Sequence, residues 1–139
     1  MVDFHKVGAL ILRDDKVLLC RKDHATSKLI LPGGRIELGE THLECLEREI
    51  REELGPVSLT GAEYLGTYED RASLDDATVV KTLRIELYRG SLVGEPVASS
   101  EIVELVWFGP GDDFNELTPI FVNKIIPDLV SRKILPWRL

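Results

Sequence analysis

Residues 41–55, THLECLEREIREELG, restrict the fold more than any other stretch. Thr41 and Glu44 stand at capping-box spacing, where each side chain can satisfy a backbone N–H of the other residue, so the spacing predicts a helix beginning at 41. Gly55 suits its end, and Pro56 forbids continuation. At about 100° per residue, Leu43, Leu46, Ile50 and Leu54 form one apolar stripe that must be buried against another layer. Glu49, Glu52 and Glu53, at i, i+3 and i+4, share the flank beside it. Three like charges held together need either open water or a compensating charge.

What surrounds this helix must supply the layer it packs on. Residues 3–13 and 16–21 are apolar, β-branched runs separated by Arg13-Asp14-Asp15, which predicts a β-hairpin. The polar segment 22–28 reads as a loop, Leu29–Leu31 as a short strand, and Pro32-Gly33-Gly34 as a break where backbone can approach a neighbour closely. Strands are expected within 57–69, at Val79–Tyr88, where Leu83, Ile85 and Leu87 alternate with polar neighbours, and at Ile102–Phe108. Thr118-Pro119 opens a second helix over 120–133, with Pro127 kinking or splitting it. No repeat, low-complexity tract or heptad pattern is present. The order predicts an α/β fold of one domain spanning residues 1–139, with strand directions left open.

Composition removes several classes of function. A net charge of −7, from 24 acids against 17 bases, argues against a nucleic-acid clamp, so any phosphate ligand needs local help from a metal or a few arginines. Cys20 and Cys45 are too few for a disulfide framework and too far apart for a CxxC metal site, as in a reduced, cytoplasmic protein. His5, His24 and His42 show no metal-ligand spacing. The apolar run Val7–Leu12 is too short for a membrane span.

Closely spaced glutamates supply the hard oxygen ligands that magnesium and manganese prefer. A bare ExxEE is more commonly a solvated helix face, and its setting is what separates the two. Gly34, five residues, Glu40, seven residues, then Arg48-Glu49-Ile50-Arg51-Glu52-Glu53-Leu54-Gly55 is similar to the Nudix box at every fixed position through Gly55. The one departure is Pro56, where that family has an aliphatic residue. Leu31-Pro32-Gly33-Gly34-Arg35-Ile36-Glu37 and the stretch from Glu101 to Trp107-Phe108 extend the resemblance more weakly.

The resemblance implies a Nudix fold, a mixed β-sheet sandwiched between α-helices, and a hydrolase acting on a nucleoside diphosphate linked to another group. It implies that Glu49, Glu52 and Glu53 bind Mg2+, or Mn2+, with a backbone carbonyl at Gly33 or Gly34. Glu52 or Glu53 would also orient or deprotonate the attacking water, a role that in some members falls to a late-loop glutamate whose place in MutT-type proteins Glu101 matches. By the same resemblance Arg35 and Arg21 contact substrate phosphates, and Glu40 and Arg48 form a structural ion pair. Trp107, Tyr68 and Phe121 are candidates to stack on a base, or simply core. A homodimer is compatible with the family.

Subfamily marks do not name the substrate. The SQPWPFPxS array of NADH-cleaving members is absent, as is the later proline of ADP-ribose hydrolases. Asp112-Asp113-Phe114 resembles MutT-type proteins, yet Thr118 replaces their guanine-reading asparagine. A nucleoside triphosphate is the expected substrate, because the chain is short. Hydrolysis of ADP-ribose or a nucleotide sugar, a non-catalytic Nudix-like binding module, and a metal-free domain with an acidic helix are the alternatives.

Overall fold

Strand alternation decides which side chains meet which helix. In the computed structural model, which describes residues 1–139, the strands are β1 (Phe4–Leu10), β2 (Leu12–Arg13), β3 (Lys16–Lys22), β4 (Gly33–Arg35), β5 (Ser58–Arg71), β6 (Thr82–Val93) and β7 (Ile102–Phe108). They form a four-stranded sheet of order β4-β1-β6-β5 and a three-stranded sheet of order β2-β3-β7. β1 runs parallel to β6, and the other pairs are antiparallel. Because successive side chains face opposite sides, Val7, Ala9 and Ile11 enter a core shared with helix α1 (His42–Leu54), as do Leu18 and Cys20. Leu10, Val17, Leu19, Leu83, Ile85 and Leu87 enter a second core with the C-terminal helical segment. The α/β arrangement is thus a pair of sheets between two helical layers.

The expected hairpin forms only in part. Asp14 and Asp15, at φ of 51° and 62°, make a tight turn that pairs Leu12 with Val17. β1, however, belongs to the other sheet, between β4 and β6. Residues Leu29–Leu31 make no strand and contribute only isolated bridges, Cys20 to Ile30 and Leu29 to Leu117. β6 begins at Thr82 rather than Val79, because Asp3 pins Thr82 through its carboxylate while Val79 and Val80 face solvent.

The second helix is neither broken nor regular. A π-helical stretch, Phe121–Ile125, runs into α2 (Ile126–Ser131), with Pro127 in the first turn of α2. The Ile126 N–H reaches back five residues to the Phe121 carbonyl. Proline has no N–H to give, and one widened turn absorbs the mismatch without a break. No helix is long and apolar enough to cross a membrane.

Candidate active site

Helix α1 starts on the capping box read from its sequence. Thr41 Oγ1 accepts from the Glu44 N–H at 3.1 Å, and Glu44 Oε1 accepts from the Thr41 N–H at 2.9 Å. Its docked face is then rotated from the apolar stripe. Cys45, Leu46, Ile50, Glu53 and Leu54 are buried, whereas Leu43, expected on that stripe, is exposed in the first turn. The glycine backbone explains the rotation. Gly33 and Gly34 let the glutamate side of the helix press against β4, so Glu49 and Glu53 are drawn toward the interior.

The fit at these glycines is close. A Cβ on Gly34 would lie 2.4 Å from Glu49 Cδ, so that carboxylate rests directly on the Gly34 backbone. A Cβ on Gly33, at φ 141°, would lie 2.0 Å from the Val7 carbonyl oxygen. No side chain fits at either position.

Glu53 is 5% exposed, and its Oε1 accepts the Gly33 N–H at 2.8 Å. Burial pushes its carboxyl up to about 8; the Gly33 N–H, Lys22 and Lys6 oppose the rise, and the neighbouring Glu49 reinforces it. Burial also raises Glu49, against the hydrogen bond from Arg48. Holding Glu53 in this state costs the metal-free fold about 3 kcal/mol at pH 7. Leu46, Ile50 and Leu54, fully buried on the same helix, each contribute about 1.5–3 kcal/mol. Their sum exceeds the cost, so the helix stays docked with its acid inside.

Glu52 is half exposed and lies 3.5 Å from Arg48. Arg48 is the hub of this flank. Its Nε donates to Glu40 Oε2 at 2.7 Å, Nη2 to Glu40 Oε1 at 2.9 Å and to the Arg35 carbonyl at 3.2 Å, and Nη1 to Glu49 Oε1 at 2.8 Å. The forked hydrogen bond pushes the Glu40 carboxyl down to about 2 and raises the Arg48 guanidinium. The loop 35–40 is thereby tied to the helix.

The remaining candidates are dispersed around this group. Arg35 lays its guanidinium over the Phe4 ring, 4.3 Å from the centroid. Arg21, expected at substrate phosphates, is committed elsewhere: Nε donates to Glu104 at 2.8 Å, and Nη1 to the Ser27 carbonyl at 2.6 Å and to Glu116 at 3.3 Å. On β3 its side chain points opposite to Cys20, which shares the core of α1. Glu101 lies 3.2 Å from His24 Nε2 and 3.9 Å from Lys22 Nζ, close enough for its charge to raise Glu49. Tyr68 is core, bonded to Asp128. Trp107 carries the Arg13 guanidinium 4.4 Å over its ring.

One cation near Glu53 escapes a reading by sequence alone. Lys6 is half-buried, and burial lowers its pKa while Glu53 and Glu49 hold it up. Its only signal in the chain is a charge inside the apolar run of β1. Lys6, Gly33 and Gly34 line one cleft together with Leu83, Ile85, Thr118, Ile120 and Phe121.

This donor set fits a hard divalent cation. A buried carboxylate has a second carboxylate beside it and one backbone N–H as hydrogen-bond partner, and the Gly33–Gly34 backbone packs against both. The oxygens of Glu49, Glu52 and Glu53 do not all lie within 4.8 Å of one another, because Arg48 holds Glu49 and Glu52 on its own side.

Known proteins show the same arrangement of chain. The chain is 36% identical over 70 residues to CTP pyrophosphohydrolase of Escherichia coli, a match spanning 48% of this chain and only 51% of that enzyme's length. It is 31% identical over 131 residues to an ADP-ribose pyrophosphatase of Methanocaldococcus jannaschii, covering 91% and 73% of the two chains. The structure superposes on a MutT NUDIX hydrolase from Burkholderia pseudomallei with a TM-score of 0.73 at 28% identity, over 91% of this chain and 97% of that one. The model of the NUDIX domain matches residues 4–128. With box, fold and relatives in agreement, the chain belongs to the NUDIX domain family.

Proposed function

We propose that this chain is a divalent-metal-dependent pyrophosphohydrolase that cleaves the diphosphate linkage of a nucleoside diphosphate joined to another group, with a nucleoside triphosphate as substrate. The observation that carries the reading is the buried Glu53 carboxylate beside Glu49, packed on a glycine backbone and hydrogen-bonded to one N–H. Mg2+, with Mn2+ as substitute, supplies that charge, neutralising phosphate oxygens and acidifying water when bound. Glu49, Glu52, Glu53 and the Gly34 carbonyl hold it. Glu52 or Glu53 accepts the proton of the attacking water, with Glu101 as the alternative base. Glu40 and Arg48 keep the loop and helix in register. Arg35 and Lys6 face the substrate phosphates, and Arg21 joins them only by giving up Glu104 and Glu116. The base lies in the cleft that Lys6 and Gly33 share with Ile85, Thr118 and Phe121.

A second reading, ADP-ribose as substrate, is favoured by the archaeal relative, whose match covers 91% of this chain. The test is hydrolysis of nucleoside triphosphates, ADP-ribose, nucleotide sugars and dinucleoside polyphosphates, with Mg2+ and with chelator. Phosphate or pyrophosphate release that needs Mg2+ and disappears in Glu53→Gln supports the proposal. Equal turnover by both proteins sinks the metal assignment, and no turnover on any substrate favours a binding module.

A further inference from the structure

The fold gathers two of the three histidines at a place no spacing in the chain suggests. His5 on β1, His42 at the first position of α1 and Glu86 on β6 bring one ligand atom each to within 4.8 Å of one another. They lie on the α1 side of the four-stranded sheet. His5 Nε2 is 2.7 Å from Glu86 Oε2, and the His5 and His42 rings meet edge to face with centroids 6.3 Å apart.

The polar groups around the trio act as outer supports. Glu86 is 8% exposed. Its Oε1 accepts from Tyr64 Oη at 3.0 Å and Thr67 Oγ1 at 2.5 Å, which fixes the carboxylate and leaves Oε2 turned to His5. His42 Nδ1 pairs with Tyr88 Oη at 3.0 Å, leaving its Nε2 free. Metal-ligating histidines and carboxylates are commonly held by such second hydrogen bonds, which set ring orientation and tautomer. Burial disfavours the Glu86 charge, yet the bonds from Thr67, His5 and Tyr64 hold its carboxyl below the usual carboxylate range.

We propose that His5, His42 and Glu86 form a second metal site, for a zinc-class transition ion, distinct from the carboxylate flank of α1. Two imidazoles and one carboxylate select zinc, cobalt or nickel over magnesium, which prefers oxygen alone. Zinc bonds of about 2.0–2.2 Å require the His5–Glu86 pair, now 2.7 Å apart, to open slightly. His5, with 38% of its side chain exposed, leaves room for a water as fourth ligand. The ion would join the first turn of α1 to β1 and β6, and its binding replaces the proton between His5 and Glu86. This site stands or falls independently of the hydrolase reading.

The test uses the full chain, stripped with chelator and kept in excess Mg2+ so that hard-ligand sites are filled. Co2+ is titrated while visible absorption is followed, and Zn2+ then competes. One equivalent of Co2+, with a d–d band that Zn2+ abolishes, is expected. His42→Ala and Glu86→Gln each weaken it by at least tenfold, whereas His24→Ala, in the exposed Asp23–His24–Glu101 cluster, and Glu53→Gln leave it unchanged. His42→Gln, checked for folding by circular dichroism in chelator, repeats the test should the alanine variant unfold. Absence of cobalt binding, binding that survives loss of His42, or binding lost in His24→Ala or Glu53→Gln overturns the proposal and leaves the trio a hydrogen-bonded strut.

Discussion

The two ends of helix α1 are built on opposite principles. At its start, polar groups are answered locally: Thr41 and Glu44 cap each other, and Glu40 meets the Arg48 fork and falls to about 2. At its end, Glu53 is buried, raised to about 8 and bonded to a single N–H. Only the backbone of that last turn is finished, where the Val97 and Ser99 N–H groups donate to the carbonyls of Leu54 and Glu53. One helix thus has an end optimised for folding and an end that sacrifices stability. Local rules broken beside satisfied ones mark where a chain serves something other than its own fold.

The sharpest way to break this contrast is Glu53→Gln. Its Mg2+-dependent turnover should fall about 10²–10⁴-fold, measured as phosphate or pyrophosphate release. A loss below tenfold would put Glu53 in the same class as Glu44.

The same variant should gain stability where wild type loses it. Folding raises the Glu53 carboxyl from an ordinary 4.5 to about 8, so between these values the metal-free folded chain holds a proton that the unfolded chain releases. That contribution to stability is therefore present below pH 4.5, is lost as pH rises toward 8, and changes no further above it. In chelator, urea unfolding should show Glu53→Gln overtaking wild type by about 3 kcal/mol at pH 7, with little difference near pH 4.5. A gap that stays constant with pH would mean that burial does not hold the acid neutral.

Gly34→Ala tests the contact between loop and flank. Its Cβ would sit 2.4 Å from Glu49 Cδ, and moving that carboxylate should lower kcat by about 10²-fold while the Mg2+ needed for half activity rises. Melting temperature should change less than for Gly33→Ala, whose Cβ meets the Val7 backbone instead. The smallest effect belongs to the finished end. Thr41→Ala should cost about 1 kcal/mol in urea unfolding, with turnover per folded molecule unchanged. A catalytic defect there would erase the distinction between the two ends.

Much of this was legible in the chain because it depends on near neighbours. The capping box, the stop at Gly55, the alternation of Leu83, Ile85 and Leu87, and the strand Ile102–Phe108 are all written within a few residues and appear in the fold. The match through residues 34–55 was readable for the same reason. What stayed hidden were properties set by partners far away in sequence. Leu43 looked buried and is exposed, since the helix turned toward the glycines of β4. The partners of Arg21, Glu104 and Glu116, come from β7 and the turn beyond it, and no spacing near Arg21 announces them.

By itself, then, the sequence determined a capped amphipathic helix, its crowded carboxylates and the family they belong to, because local geometry and charge spacing follow from covalent order. Only the tertiary structure decided how deep each carboxylate lies. Glu49, Glu52 and Glu53 are identical residues, yet their burial runs from nearly complete at Glu53 to half exposed at Glu52. It also decided the parallel pairing of β1 with β6 and the meeting of His5, His42 and Glu86. Desolvation and convergence are properties of the packed whole, and no spacing along the chain encodes them.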